Sequence, residues 1–192
     1  PSGDNPSQQF PGGYVKEPHV GMHDWVMSFD LNSLYPNLIV QYNMSPETLI
    51  GVTDADGAKA SNGAVFRKDK KGIIPEIVEE LYAKRVTIKG DMLEAKHKLE
   101  TISKRQRNEY QQTSAQVARL ETLQTAIKIL LNSLYGAMGN KYFRYFDIRI
   151  AAGITLTGQE VIKYAETKVN DFLDNFVGES KDRVIAMDTD SL

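Results

Sequence analysis

Near the C-terminus an apolar pair, Val184-Ile185, leads into Ala186-Met187-Asp188-Thr189-Asp190-Ser191, where two carboxylates stand two residues apart. A strand that delivers paired acids to a tight turn is one way to build a divalent-metal site, because hard cations take carboxylate oxygens. The same Asp-Thr-Asp-Ser run is also ordinary turn chemistry, since short polar side chains bond to their own backbone. A second acid stands in similar surroundings far upstream, in Val26-Met27-Ser28-Phe29-Asp30-Leu31-Asn32-Ser33-Leu34-Tyr35-Pro36, where a strand-like segment ends at Asp30. Between the two lies Lys128-Ile129-Leu130-Leu131-Asn132-Ser133-Leu134-Tyr135-Gly136, whose lysine is the kind of cation a polyphosphate requires.

Three such segments in this order resemble family B DNA polymerases. The first is similar to that family's DxxSLYPS motif, the second to its KxxxNSLYG motif and the third to its DTDS motif. The neighbouring text, Gly13-Tyr14-Val15-Lys16-Glu17-Pro18 and Met44-Ser45-Pro46-Glu47-Thr48, resembles the T-even-like phage branch. The resemblance implies nucleotidyl transfer from a dNTP to a primer 3′ hydroxyl on a DNA template, during viral DNA replication. In such an in-line displacement two Mg²⁺ ions stabilise the attacking and leaving oxygens. Asp30 and Asp190 are the expected shared ligands, with Asp188 ligating or orienting the site. The Leu31 carbonyl is a further ligand that the resemblance implies.

After Asp30 the chain must turn into a helix, and a helix N-terminus presents N–H groups to anions. Ser33, Leu34 and Tyr35 are therefore expected to hold the β- and γ-phosphates. In the resembled family, Tyr35 would also pack beneath the sugar and obstruct a ribose 2′-OH. Arg85 and Lys89 are four apart, as are Lys128 and Asn132, so each pair shares a helix face. If the helices pack antiparallel, Arg85, Lys89 and Lys128 surround one triphosphate; arginine binds phosphate bidentately and lysine as a point charge. Tyr135 and Gly136 follow near the same face, where a ring beside a glycine would support the nascent base pair. Helical spacing alone would give only an exposed cationic stripe.

Composition sets looser limits. With 192 residues, 41% of them hydrophobic, the chain buries a core and forms one or two domains. Net charge is −2, which does not by itself indicate a nucleic-acid binder. From Lys84 to Arg107, however, eight cations face three acids, a local excess of +5 that reads mostly as solvated helix surface. There is no cysteine, so disulfides and thiolate metal sites are excluded. His19 and His23 sit in a connector and His97 in a charged helix. No stretch is apolar enough to span a membrane and no secretory segment opens the chain, so a cytoplasmic location is expected.

The expected class is α+β: a mixed body with an antiparallel sheet and flanking helices, interrupted by a two-helix antiparallel hairpin. In the resembled family these are palm and fingers. The expected divisions are a Pro/Gly/Ser-rich entry segment over 1–24, a first palm part with motif A over 25–74, fingers with motif B over 75–139, and a second palm part with motif C over 140–192. Within these, 25–31 reads as a strand, and Pro36 opens a helix over 37–43. Residues 53–71 read as loops or a short hairpin. Apolar residues at helical spacing predict helices from Pro75 to about Tyr110 and from Ser114 to Leu134, with 108–113 as the polar break. A strand near 142–146, a helix over 154–176, a turn at 178–180 and a final strand complete the order.

In one place the text departs from the family pattern. Motif C usually reads YGDTDS, whereas Ala186-Met187 precede the first aspartate here. Glycine permits close backbone approach, so Met187 is expected to crowd the primer terminus or shift the strand. The chain opens at Pro1 and ends at Leu192, without the return strand, downstream lysine motif, thumb or exonuclease acids of the family. It therefore reads as a segment of a longer protein or one piece of a split one. Two functions stand at this point. One is the core of a replicative polymerase that binds primer-template DNA and dNTPs and works with a sliding clamp and other replisome proteins. The other is a noncatalytic nucleotide- or DNA-binding fragment that needs a separate C-terminal piece.

Overall fold

The computed structural model describes residues 11–51, 56–103 and 106–192. The entry segment over 1–10, including Phe10 of the glycine-rich run, the loop residues 53–55, and Lys104 and Arg105 of the cationic run lie outside the described residues. In chain order the elements are β1 (Val15–Lys16), α1 (Leu34–Gln41), a 3-10 turn (Pro46–Thr48), β2 (Leu49–Gly51), β3 (Ala58–Lys59), β4 (Val65–Phe66), α2 (Ile73–Thr101), α3 (Arg107–Met138), α4 (Ile148–Val177) and β5 (Met187–Asp188). The class is α+β as expected. Its strands form two small antiparallel sheets, β1 with β5 and β2-β4-β3. No described helix is long and apolar enough to cross a membrane.

One core joins all four helices. Ile39 and Met44 from α1 and the turn after it, Phe66 from β4, Ile74 and Val78 from α2, Leu131 and Met138 from α3, and Ile150 and Ile154 from α4 form a single buried cluster. Burying side chains of this size is worth about 1.5–3 kcal/mol each before chain entropy is charged against it. The base of the α2–α3 hairpin is therefore part of the body's core, while among the described residues its outer length packs on itself. There Met92, Ala95, Thr113 and Val117 are buried. The pairs Lys96–Glu121 and Lys98–Glu109, each 3.3 Å, link the helices in antiparallel register. Exposed pairs of this kind contribute under about 1 kcal/mol each, so the apolar seam holds the hairpin together.

Helix α2 is started by residues from elsewhere. Its N-cap, Gly72, offers no side chain, and a Cβ there would come within 2.7 Å of Ser45 Cβ. Glu47 instead accepts the Ile73 N–H at 2.6 Å, and Asn43 accepts the Gly72 N–H at 2.8 Å while donating to the Arg67 and Lys70 carbonyls. The loop before the hairpin is thus fastened to the end of α1.

Four expectations are corrected. Residues 25–31 do not form a strand: Trp25 lies at φ 60, and among the described residues only the stretch from Phe29 to Leu31 pairs with another segment. Helix α1 starts at Leu34, not Asn37, because Ser33 at φ 54 turns the chain there. Pro36 is tolerated in this first turn, where its missing N–H has no intrahelical partner to lose. Helix α2 ends at Thr101 and α3 begins at Arg107, so 108–113 is helical and not the break, because its Glu and Gln residues are good helix formers. Residues 142–146 are turns: Phe143 N–H donates to Asn140 O and Phe146 N–H to Phe143 O, and Lys141 and Arg144 lie over the exposed rings of Tyr142 and Tyr145.

Helix α4 begins six residues before its expected start because Asp147 caps it. The Asp147 carboxylate accepts the Arg149 N–H at 2.9 Å and pairs with the Arg149 guanidinium at 2.6 Å. The Arg149 hydrogen bond is the main cause holding the Asp147 carboxyl below the usual carboxylate range, against its partial burial. A depressed native value means the stabilisation is complete above the unfolded-state pKa and disappears as pH falls through the native one. Urea unfolding of Asp147→Ala at pH 7 is expected to show a loss of about 1 kcal/mol, shrinking as the pH is taken below the usual carboxylate range. An equal loss at every pH would contradict the charged cap.

Candidate active site

Strand β5 separates two neighbours by side. Met187 points inward, 3% exposed, into a small cluster with Ile162 and Val184, while Asp188 points out. Where crowding of a primer terminus or a shifted strand was expected, the Met187 side chain packs beneath β5, in a cluster flanked by Tyr14 and Leu31.

Beyond β5 the chain reverses within two residues. Asp188 and Ser191 exchange backbone hydrogen bonds at 3.0 and 2.9 Å, and Thr189 between them lies at φ 55. A β-branched residue at that φ is strained, so its surroundings must hold it. The Thr189 N–H donates to Tyr14 O at 2.8 Å, and its hydroxyl donates to the Asp188 carboxylate at 2.9 Å. Its side chain rests on Gly13, where a Cβ would stand 3.0 Å from both Thr189 Cβ and Cγ2. The strand β1 that follows Gly13 is anchored in turn by Lys16, which reaches Glu166 of α4 at 2.5 Å and Asp182 at 2.6 Å.

The turn then meets the upstream acid. Leu31 N–H donates to Asp190 O at 2.7 Å, Phe29 and Leu192 exchange backbone bonds at 2.8 and 2.9 Å, and Asp30 bridges Ser191. Asp30 and Asp190 consequently line one cavity of about 400 Å³. Its other walls are Asn32, Ser33, Arg85 from α2, and Lys128, Leu131 and Asn132 from α3. A second cavity of about 170 Å³ shares Ser33, Leu131, Asn132 and Asp190 with the first. It adds Leu34, Tyr35, Pro36, Tyr135 and Thr189. The rings of Tyr35 and Tyr135 lie against each other at a 41° tilt, with centroids 4.6 Å apart.

Charge is arranged across this space. Burial, then the Asp30 charge, then that of Asp188 push the Asp190 carboxyl above its ordinary value, against a backbone hydrogen bond. Burial, Tyr135 and the two aspartates 190 and 188 push the Tyr35 phenol up to about 12, so it stays neutral at physiological pH. On the opposite wall, Arg85 Nε is buried without a hydrogen-bond partner among the described residues. The site thus sets two carboxylates that repel each other against two cations, one with an unmet donor.

The sequence-predicted residues divide accordingly. Asp30, Asp190, Ser33, Leu34, Tyr35, Arg85, Lys128, Asn132 and Tyr135 line the two cavities. Asp188, Leu31, Lys89 and Gly136 line neither. Asp188 is exposed two residues before Asp190, and the Leu31 carbonyl accepts the Leu34 N–H at 3.1 Å. Lys89 is exposed one turn along α2 from Arg85, and Gly136 has open space where a Cβ would stand. Sequence reading missed Asn32, which donates to the Tyr82 hydroxyl at 3.1 Å, and Leu131, which is buried in the core and walls both cavities. Nothing in their type or spacing distinguished them.

A profile of DNA polymerase family B matches residues 1–192, the whole chain. The chain belongs to DNA polymerase family B. Among its relatives are the DNA-directed DNA polymerases of Escherichia phage RB69, 34% identical over 98% of this chain, and of Enterobacteria phage T4, 31% identical over 99%. A DNA polymerase of Pyrococcus glycovorans is 32% identical over 85% of the chain and 19% of its own length. The chain spans 27% of the length of each of the two phage relatives. The resemblance read from three motifs therefore extends along the family B segment from end to end, and phage enzymes are among the relatives it matches.

The contact between Gly13 and Thr189 gives a direct test of how this family B turn is held. In Gly13→Ala the added methyl displaces Thr189, so the Thr189 amide is expected to exchange with solvent faster. Gly12→Ala, which has open space, is expected to leave it unchanged. Equal exchange in both variants would show that Gly13 does not support the turn.

Proposed function

We propose that this segment is the catalytic core of a DNA-directed DNA polymerase, transferring a nucleotide from a dNTP to a primer 3′ hydroxyl. The observation that carries the reading is the single cavity in which Asp30 and Asp190 face Arg85 and Lys128. In this reading the α2–α3 hairpin is the fingers, and the body built on α1, α4 and the small sheets is the palm.

The donor set suits Mg²⁺. Asp30 and Asp190 offer carboxylate oxygens with no nitrogen or sulfur ligand beside them, and Mg²⁺ usually takes one or two protein carboxylates together with substrate phosphates. The Asp188 carboxylate accepts the Thr189 hydroxyl, so Asp188 is assigned an orienting role through Thr189. Bound divalent metal supplies compensation for the charge that develops on the attacking and leaving oxygens.

The chain's own residues do the rest. Arg85, with its unpartnered Nε, and Lys128 bind the triphosphate from the hairpin side. Ser33 faces the same space from the body, while the first turn of α1 lines the adjoining smaller cavity. Tyr35 and Tyr135 wall the adjoining smaller cavity, where sugar and base would lie. Tyr35 stays protonated and acts by shape. Placing the reacting groups in line is the main contribution such a site makes, since the protein forms no covalent bond to the phosphoryl group.

Primer extension by the polymerase that carries this segment tests the assignment. Asp190→Asn is expected to abolish Mg²⁺-dependent extension while DNA binding persists; retained extension would remove Asp190 from the metal site. Lys128→Ala is expected to raise the KM for dNTP by about 10- to 100-fold, the cost of a lost charged hydrogen bond. Lys89→Ala, outside the cavity, is expected to change it far less. Equal effects of the two lysines would contradict the cavity as the triphosphate site.

A further inference from the structure

Tyr35 has two close neighbours. The Tyr135 ring lies tilted at 41° to it, with centroids 4.6 Å apart. In α4, Gly158 stands against its edge, buried in the interface of α4 with α1. A Cβ on Gly158 would come to 2.8 Å from Tyr35 Cε1, 3.5 Å from Tyr35 Cδ1 and 3.5 Å from Leu34 Cδ2. At 2.8 Å two carbons overlap well inside their contact distance, so a side chain at 158 and the present ring position exclude each other.

The helix does not need this glycine for its own conformation. Gly158 lies in the middle of a 30-residue helix, where glycine is worse than alanine by about 1 kcal/mol. Its backbone is not left-handed, in contrast to Gly178 at the end of the same helix, with φ 79. The requirement at 158 is for space, and that space is filled by the Tyr35 ring. Gly158 lines neither cavity, whereas Tyr35 lines the smaller one. A methyl group at 158 therefore displaces the ring from α4, and because the ring lines the smaller cavity its displacement changes that cavity's shape.

We propose that Gly158 is a specificity-determining positioning residue, setting through Tyr35 how much room the smaller cavity leaves for the sugar of an incoming nucleotide. The inference rests on the reading of Tyr35 as the residue beneath that sugar. It adds that the depth of this floor is fixed from α4, by a residue that itself touches no substrate.

The test is a double-variant cycle in the complete polymerase, measuring kcat and KM for a dNTP and for the matching rNTP on one primer-template. Gly158→Ala is expected to raise the KM for the dNTP several-fold and to shift selectivity against the rNTP several-fold, because the displaced ring changes the room left for the sugar. A merely destabilised enzyme would lower both activities together and leave their ratio unchanged. In the Tyr35→Ala background, where the ring is gone, Gly158→Ala is expected to leave selectivity as it is in Tyr35→Ala alone. Unchanged selectivity in Gly158→Ala, or an equal change in both backgrounds, would overturn the proposal. If Gly158→Ala does not fold, recovery of folded, primer-extending enzyme in the double variant supports it, and failure of the double variant to fold overturns it. Failure of the underlying reading is separate: Tyr35→Ala alone would then leave selectivity unchanged.

Discussion

The whole site depends on a short antiparallel pairing between Phe29–Leu31 and Asp190–Leu192. Three backbone hydrogen bonds are made in it, two between Phe29 and Leu192 and one from Leu31 to Asp190. It sets two carboxylates from opposite ends of the chain beside one cavity, although like charges there raise the cost of ionising Asp190. The pairing tolerates that repulsion because it is backed on its far side. Met187, Val184 and Ile162 pack beneath β5, β1 runs alongside it, and Lys16 ties β1 to Glu166 and Asp182. Breaking a partly buried charge cluster of this kind is costly because the remaining charges lose their compensation.

The cations reach the same cavity by a different principle. Arg85 and Lys128 sit near the base of a long hairpin, close to the point where Leu131, Ile74 and Val78 enter the common core. The hairpin's outer part, by contrast, packs on itself among the described residues. Rigid attachment at the base fixes the charges that face the carboxylates, while the distal helices are free of the body's packing. Gly13 and Gly158 serve the same end by absence: each leaves space for one side chain, Thr189 or Tyr35, that the site needs in a particular place.

Much of this was legible in the sequence because its signals are local. The two long helices follow from apolar spacing, the turn from Asp188-Thr189-Asp190-Ser191, and the cavity-lining cations Arg85 and Lys128 from motif letters and four-residue spacing. What was not legible depends on contacts distant in sequence. The β-formers of 25–31 suggest a strand, yet a strand needs a partner along its length, and among the described residues only Phe29–Leu31 has one. Tyr142–Phe146 carries strand-forming aromatics, but its backbone is committed to turn hydrogen bonds. Lys89 shares a helix face with Arg85 and still stays outside the cavity, because one turn along α2 carries it past the wall. Met187 departs from the family letter at a position where alternation points the side chain inward. Gly158 carried no signal, since a glycine inside a helix shows its purpose only through the ring packed against it.

The most direct measurement is the count of Mn²⁺ ions bound by the polymerase with a dNTP present, read by electron paramagnetic resonance, in wild type, Asp30→Asn and Asp190→Asn. If the paired segments build one metal-nucleotide site, each substitution alone removes dNTP-dependent Mn²⁺ binding while the protein stays folded. Undiminished binding in either variant would contradict a site shared between the two carboxylates.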